Sequence, residues 1–135
     1  EKENVITPFQ LVGPQITDLA LSDILAGVNI LYTYNGRRFD LPFIKHSLGL
    51  DLERQFKHRD LMYDCWRHKL KGGLKAVEVK LGIARESKGI DGWMAVKLWW
   101  DYINNNDLAA LQTLLIYNRE DVVNLQTLRL KLGVE

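Results

Sequence analysis

One apolar run between two helical segments limits the folds open to this chain. Residues 28–34 combine β-branched and aromatic side chains and predict a buried strand. Thr17 or Asp18 can cap a preceding helix that runs to about Ala26, where Gly27 stops it. A helix followed directly by a strand is typical of an α/β unit. Asp40 follows this strand closely. Functional side chains commonly lie at the carboxyl ends of parallel strands.

The remainder of the chain is predicted to be mostly helical. Residues 5–12 form an extended segment that Pro8 interrupts, and residues 57–62 give a second short strand that leads into a helix. Helical spacing marks the segments 41–48, 74–81, 93–103, 108–116 and 117–132. Two or three strands are too few for a stable sheet by themselves. The predicted fold class is therefore α/β with few strands and a helix-rich C-terminal half, as in an incomplete domain.

The composition is that of a soluble globular domain with enough apolar content for a core. The chain has 135 residues, of which 47% are hydrophobic and 26% charged. No apolar run approaches the ~20 residues of a membrane span, and the polar start is not a signal peptide. A cytoplasmic location is therefore expected. Cys65 is the one cysteine, which excludes an internal disulfide, and neither it nor the spacing of the three histidines suggests a zinc site.

Basic side chains are concentrated in the middle of the chain. Residues 37–88 hold 13 of the 18 basic and 7 of the 17 acidic side chains, a local net charge of +6, whereas the whole chain carries +1. Such an excess favours a polyanionic substrate through phosphate contacts and electrostatic steering. A solvated surface is the alternative explanation of the charges alone.

One face of the last predicted helix carries a carboxylate among mostly apolar side chains. The residues that share this face are Tyr117, Asp121, Leu125, Leu128 and Leu132. A carboxylate on a buried face needs a hydrogen bond, an ion pair or a metal. Asp121 is therefore either a ligand of a divalent cation or the partner of a nearby basic residue, for which Arg119 and Arg129 are candidates.

Asp40 has a structural explanation beside a functional one. With Pro42 in the first turn, it resembles a helix N-cap. Asn35 and Gly36 form a turn signal, and Phe39 can be read as a core residue. The four tryptophans are expected to pack in the protein rather than to stack on bases. None of these residues identifies a function by itself.

The order of the motifs resembles the DnaQ-like, or DEDD, 3′-to-5′ exonuclease superfamily, which has the RNase H-like fold. Residues 31–44 contain the string Asn-Gly-x-x-Phe-Asp-Leu-Pro after a strand, and residues 117–122 contain Tyr-x-x-x-Asp. A shorter similarity lies between them at residues 58–61. The nearest match is the YprB-like branch of predicted ribonuclease H-like exonucleases. The resemblance covers most of the chain.

The resemblance implies two-metal hydrolysis of nucleic acid from a single-stranded 3′ end. Asp40 and Asp121 would be ligands of two Mg²⁺ or Mn²⁺ ions, and Tyr117 would orient the attacking water. Other residues would contact the substrate. They are Asn35 and Phe39 beside the terminal nucleotide, and Arg37, Arg38 and Lys45 at backbone phosphates.

The first motif of this superfamily, Asp-x-Glu on the first strand, does not occur upstream of Asn35. The one Asp-x-Glu in the chain, at residues 51–53, follows the second motif and is expected to begin a loop or a helix. Residues 1–135 are therefore predicted to be a fragment of a single RNase H-like domain without its first strands, inactive alone and able to self-associate through an open sheet edge. The alternatives are a non-catalytic nucleic-acid-binding module of the same fold and a scaffold domain.

Overall fold

A computed structural model describes residues 6–87 and 89–134 of the chain. This part contains two short strands among helices of varied length. In chain order the elements are α1 (Asp18–Leu25), β1 (Ile30–Thr33), α2 (Asp40–Leu48), α3 (Leu52–Gln55), β2 (Lys57–Asp60), α4 (Leu61–Arg67), α5 (Leu74–Leu81), α6 (Gly92–Asn105) and α7 (Leu108–Lys131). The predicted α/β class, with few strands and a helix-rich second half, is confirmed.

The two strands pair in parallel, so their carboxyl ends meet at one edge of the sheet. Thr33 of β1 lies opposite Asp60 of β2. Parallel pairing requires a crossover connection, which here contains α2 and α3. Side chains also join the strands, because Thr33 Oγ1 lies 2.9 Å from His58 Nε2. Among the described residues no third strand joins this sheet.

Local signals explain several of the helix boundaries. Thr17 caps α1, since its Oγ1 accepts a backbone N–H of the first turn at 3.1 Å. Gly49 and Gly82 end α2 and α5 with left-handed φ angles of 72° and 71°. Asp51 accepts a backbone N–H at 3.3 Å and caps α3. The Asp-x-Glu triplet therefore begins a helix, as predicted.

The described part of the predicted extended segment, residues 6–12, belongs to neither a helix nor a strand, and residue 5 lies outside the described residues. Two other predictions of detail are wrong. Residues 108–131 form the single helix α7 rather than two segments, because no glycine or proline interrupts them. Trp93 and Trp100 are 76% and 53% exposed rather than packed.

The core lies between β1, α4, α5 and α7. Its buried members are Leu61, Cys65, Val77, Ile83, Leu128, Leu132 and Val134. Burial raises the pKa of the Cys65 thiol to about 11, so this cysteine is an unreactive packed side chain. The apolar face predicted for the last helix is confirmed at Leu128, which is fully buried.

A buried carboxylate joins β2 to α4. The Asp64 side chain is 5% exposed and accepts hydrogen bonds from Arg59 Nε at 3.1 Å and Arg59 Nη2 at 2.7 Å, and it also pairs with Arg67. The hydrogen bond from Arg59 holds the pKa of Asp64 below its usual range. A depressed folded-state pKa contributes stability above the unfolded value of about 3.9, and this contribution is lost as the pH falls through the folded-state pKa.

Asp64→Asn is therefore expected to lower the free energy of unfolding at pH 7 by about 1.5–3 kcal/mol, the contribution typical of hydrogen bonds to a charged group. The difference from wild type should shrink as the pH falls below about 4. Urea unfolding across a pH series measures both effects. Asp23→Asn, at an exposed position of α1, is the control and should change little at any pH. If the difference in unfolding free energy between Asp64→Asn and wild type stayed constant down to acid pH, the Asp64 carboxylate would not have the role given to it here.

Candidate active site

The turn after β1 is held by a buried carboxylate at the end of β2. Asp60 is 5% exposed and accepts the N–H groups of Asn35 at 2.7 Å and Arg37 at 3.2 Å. Asn35 has a left-handed φ of 62°, a conformation that asparagine tolerates better than most residues. A Cβ at Gly36 would lie 2.5 Å from the Thr33 side chain, so glycine is required there. This turn connects β1 to the start of α2.

Asp40 is the first residue of α2 and lies at the surface. Phe39 occupies the N-cap position and no side chain caps the helix, so the N-cap explanation of Asp40 is wrong. Partial burial raises the pKa of Asp40, and the negative charges of Asp60 and Asp121 raise it further. The charge of Asp121 thus acts on Asp40, although the two residues come from opposite ends of the motif set.

Asp121 on α7 is paired with two basic side chains. Its Oδ1 lies 2.8 Å from Arg85 Nη2 and 3.7 Å from Lys75 Nζ. The contact with Arg85 is a close ion pair, and apart from it this buried oxygen has no hydrogen-bond donor within the described part of the chain. An ion pair at Asp121 was one expectation from sequence, but Arg119 and Arg129 were the wrong partners for it.

Tyr117 is buried beneath the same two cations. Lys75 Nζ lies 4.4 Å and Arg85 Cζ 5.2 Å from the centre of its ring, within the range of cation–π contact. Arg85 also donates a hydrogen bond of 3.0 Å to the Tyr117 carbonyl oxygen. Tyr117 and Asp121 are thus connected through Lys75 and Arg85 as well as through helical spacing.

Arg85 contacts Tyr117, Glu78 and Asp121, and no sequence motif identified it. Its side chain is 8% exposed, and Nη1 donates to both carboxylate oxygens of Glu78 at 3.0 and 3.1 Å. Glu78 is 1% exposed and also accepts a hydrogen bond of 3.0 Å from Asn124 Nδ2. Helical spacing places Glu78 on the apolar face of α5 with Leu74 and Val77. That buried carboxylate was the signal that a basic partner had to exist.

Three of the predicted substrate contacts surround the turn before α2. Phe39 is 65% exposed, so its interpretation as a core residue is wrong. Arg38 is also exposed. Asn35 has a buried side-chain oxygen without a hydrogen-bond partner among residues 6–87 and 89–134. An exposed aromatic ring and an exposed guanidinium beside Asp40 are suitable contacts for a nucleotide.

The other two predicted substrate contacts are engaged in surface ion pairs. Arg37 Nε lies 3.5 Å from Glu53 Oε1, and Lys45 Nζ lies 3.4 Å from Asp51 Oδ2. All four side chains are at least one-third exposed, so these pairs contribute little to stability. Both basic groups are therefore free to exchange their partner for a phosphate at small cost.

The carboxylates fit part of a site for a hard divalent cation. In the described ranges, no three His, Cys, Asp or Glu side chains form a group that could hold a metal ion. Burial and the negative charges of Asp60 and Asp121 disfavour the charged form of Asp40, and a cation would offset these charges. The charge of Asp121 is already offset by two basic side chains. Carboxylate oxygens are suitable ligands for a hard cation, but two carboxylates alone do not complete such a site.

Comparison with known proteins places this chain in a family. The model of the RNase H superfamily matches residues 1–132. The chain belongs to the RNase H superfamily. It is similar to the "Uncharacterized protein YprB" of Bacillus subtilis (strain 168), with 32% identity over 111 residues, a match that covers 75% of this chain and 27% of that protein. The chain thus spans about a quarter of the length of this curated relative. No solved structure shows a significant match.

Membership confirms the resemblance at the level of the superfamily and the relation to YprB. Proteins of the RNase H superfamily are generally nucleases, and they typically use divalent metals. The parallel strands and surrounding helices agree with an RNase H-like fold. Among the helices that the structure describes, none combines the length and the apolar content needed to cross a bilayer.

Proposed function

We propose that this RNase H superfamily protein is a metal-dependent 3′-to-5′ exonuclease of the DnaQ-like, or DEDD, type, in the YprB-like branch, acting on single-stranded ends. The observation that carries the proposal is the superfamily match over residues 1–132, which includes the motifs of both Asp40 and Asp121. Tyr117 lies one helical turn from Asp121. These are the three side chains that the motif order assigns to catalysis.

In this proposal Asp40 and Asp121 would hold Mg²⁺ or Mn²⁺, which when bound supplies an activated water and stabilises the leaving 3′ oxygen. Tyr117 would orient that water. The remaining residues would position the substrate. Their roles are a hydrogen bond from Asn35, a stacking contact from Phe39, and phosphate contacts from Arg37, Arg38 and Lys45.

We further propose that residues 1–135 are part of a single domain whose Asp-x-Glu carboxylates come from outside this chain. The two-stranded sheet supports this, because within the described residues β1 is paired along one edge only. Its other edge would pair with the additional strands or, in the isolated chain, with a second copy. A cytoplasmic location remains part of the proposal and rests on the sequence alone.

The test is a nuclease assay of the full-length protein on single-stranded DNA and RNA labelled at the 5′ end. With Mn²⁺ or Mg²⁺, we expect progressive shortening of the labelled strand with release of nucleoside monophosphates. EDTA should stop the reaction. Internal cuts, or hydrolysis that EDTA leaves unchanged, would contradict the proposal.

A non-catalytic nucleic-acid-binding module is the second candidate, and the ion pairs of Asp121 favour it. Arg85 and Lys75 already offset the negative charge that a metal would require. A full-length protein that binds strands in a salt-dependent manner but does not shorten them in Mn²⁺ would establish this function.

A further inference from the structure

We propose that an arginine-lined cavity beside β2 binds backbone phosphates of the nucleic-acid strand whose 3′ end lies at Asp40 and Asp121. The inference rests on the proposed function and adds a second contact region for the same strand. The cavity has a volume of about 380 Å³, within the range of roughly 300–1,000 Å³ that is typical of ligand sites. Its positively charged lining residues are Arg37, Arg59 and Arg67.

The three guanidinium groups are positioned for an anion rather than buried against each other. The side chain of Arg37 is 53% exposed, that of Arg59 45% and that of Arg67 63%. Asp64 is 5% exposed, and it binds two of them, Arg59 and Arg67, so that one carboxylate fixes two cations at the cavity wall. Guanidinium groups held in this way lose little freedom when they bind a phosphate, which they match geometrically.

The lining residues alone carry a small positive charge, because three arginines stand against Asp60 and Asp64. Outside the lining, Glu53 pairs with Arg37 at 3.5 Å, in an exposed ion pair that a phosphate can replace at small cost. The larger attraction for a polyanion comes from the basic segment 37–88, whose net charge is +6.

Aromatic side chains beside the arginines favour a nucleic-acid strand over a free anion. Tyr63 lines the cavity, and the guanidinium carbon of Arg37 lies 6.0 Å from the centre of its ring. Trp66 packs edge-on against Tyr63 at 5.1 Å and remains 40% exposed. Basic groups interleaved with aromatic rings are the usual means of holding single strands, because the rings stack on bases of any sequence.

His58 also lines the cavity and is fixed to the neighbouring strand. Its Nε2 lies 2.9 Å from Thr33 Oγ1 of β1. Burial lowers the pKa of His58. The positive charge of the cavity lining therefore comes from the arginines.

Asp60 connects the cavity to the candidate active site. It lines the cavity, and its oxygens accept the backbone N–H groups of Asn35 and Arg37. These residues form the turn that leads to Asp40 at the start of α2. The cavity and the turn before Asp40 are therefore joined through one carboxylate.

The test is the affinity of the full chain for a fluorescent single-stranded oligonucleotide, measured by anisotropy over a series of NaCl concentrations in EDTA. Arg67→Gln should weaken binding roughly fivefold to tenfold and reduce the slope of log K against log salt by about 0.7, the loss of one phosphate contact. Arg67→Lys should retain the slope. Arg119→Gln, at an exposed position of α7, removes the same charge and should bind like wild type.

The inference would be overturned if Arg67→Gln and Arg119→Gln had the same affinity and the same salt slope, whether both bind like wild type or both bind more weakly. Thermal melting of each variant shows whether it is folded, and Arg59 still holds Asp64 in Arg67→Gln. The proposed function fails separately. If the Arg67→Gln loss is found but the full-length protein hydrolyses nothing in Mn²⁺, the strand-binding cavity stands and the exonuclease does not.

Discussion

Asp121→Asn is expected to lower the turnover of the full-length protein about 100-fold or more while leaving it folded. The substitution keeps the shape of the side chain but removes the charge that would hold a divalent cation, a contribution of several kcal/mol to the transition state. The variant loses the ion pair between Arg85 and Asp121. Arg85 keeps its two hydrogen bonds to the buried Glu78. Initial rates on labelled strands measure turnover, and circular dichroism measures folding.

Asp101→Asn is the matched control for this prediction. Asp101 on α6 has a side chain that is 33% exposed, as Asp121 has, and it is likewise paired with a basic residue, Lys97, at 3.2 Å. Its loss should leave turnover unchanged, because surface ion pairs contribute little. Normal turnover in Asp121→Asn would remove Asp121 from the mechanism. An equal loss in both variants would indicate a general effect of charge.

Arg85→Met is expected to reduce the free energy of unfolding by about 3–5 kcal/mol, the cost of breaking a buried ion pair by removing one partner. Glu78, which is 1% exposed, would keep only Asn124 as a side-chain donor among the contacts seen here. Asp121 would lose its closer cation at the same time. Urea unfolding measures the change as a lower midpoint at constant slope.

Two further variants separate the ion pair from packing. Arg119→Met makes the same replacement at an exposed position of α7 and should stay within about 0.5 kcal/mol of wild type. The double variant Glu78→Gln with Arg85→Met should be less destabilised than the sum of its single changes, since no unpaired buried charge remains. Additive losses would mean that Arg85 acts through packing alone.

The parts of the fold that local residues determine could be predicted from the sequence. Thr17 caps a helix through its own hydroxyl, and Gly82 ends one through its own backbone conformation, so both boundaries follow from residue type. The run 28–34 was recognisable as a strand because β-branched and aromatic residues fit a pleated sheet, although only Ile30–Thr33 is paired. The predicted burial of this strand is wrong, since Ile30 is exposed and the other three residues are only partly buried. The exposure of Trp93 and Trp100 was not predictable, because helical spacing does not say which face is covered.

For the candidate site, the sequence pointed only to residues that belong to a motif, and their roles stay predictions. Asp40, Tyr117 and Asp121 stand at the spacing of the motifs, and in the structure the charge of Asp121 acts on Asp40. The ion pairs of Asp121 join positions far apart in the chain, so no local pattern indicated Arg85 or Lys75. Asp60 was overlooked for the same reason, because its role is to accept backbone N–H groups from another element.

The parallel pairing of β1 and β2 has a consequence for the order of folding. Helices α6 and α7 are joined by two residues and can form their mutual contact early, because few residues separate the partners. The two strands can meet only after the whole crossover between them has closed, which costs chain entropy. The turn that Asp60 holds, and with it the placement of Asp40, is therefore expected to form after the pair of helices α6 and α7.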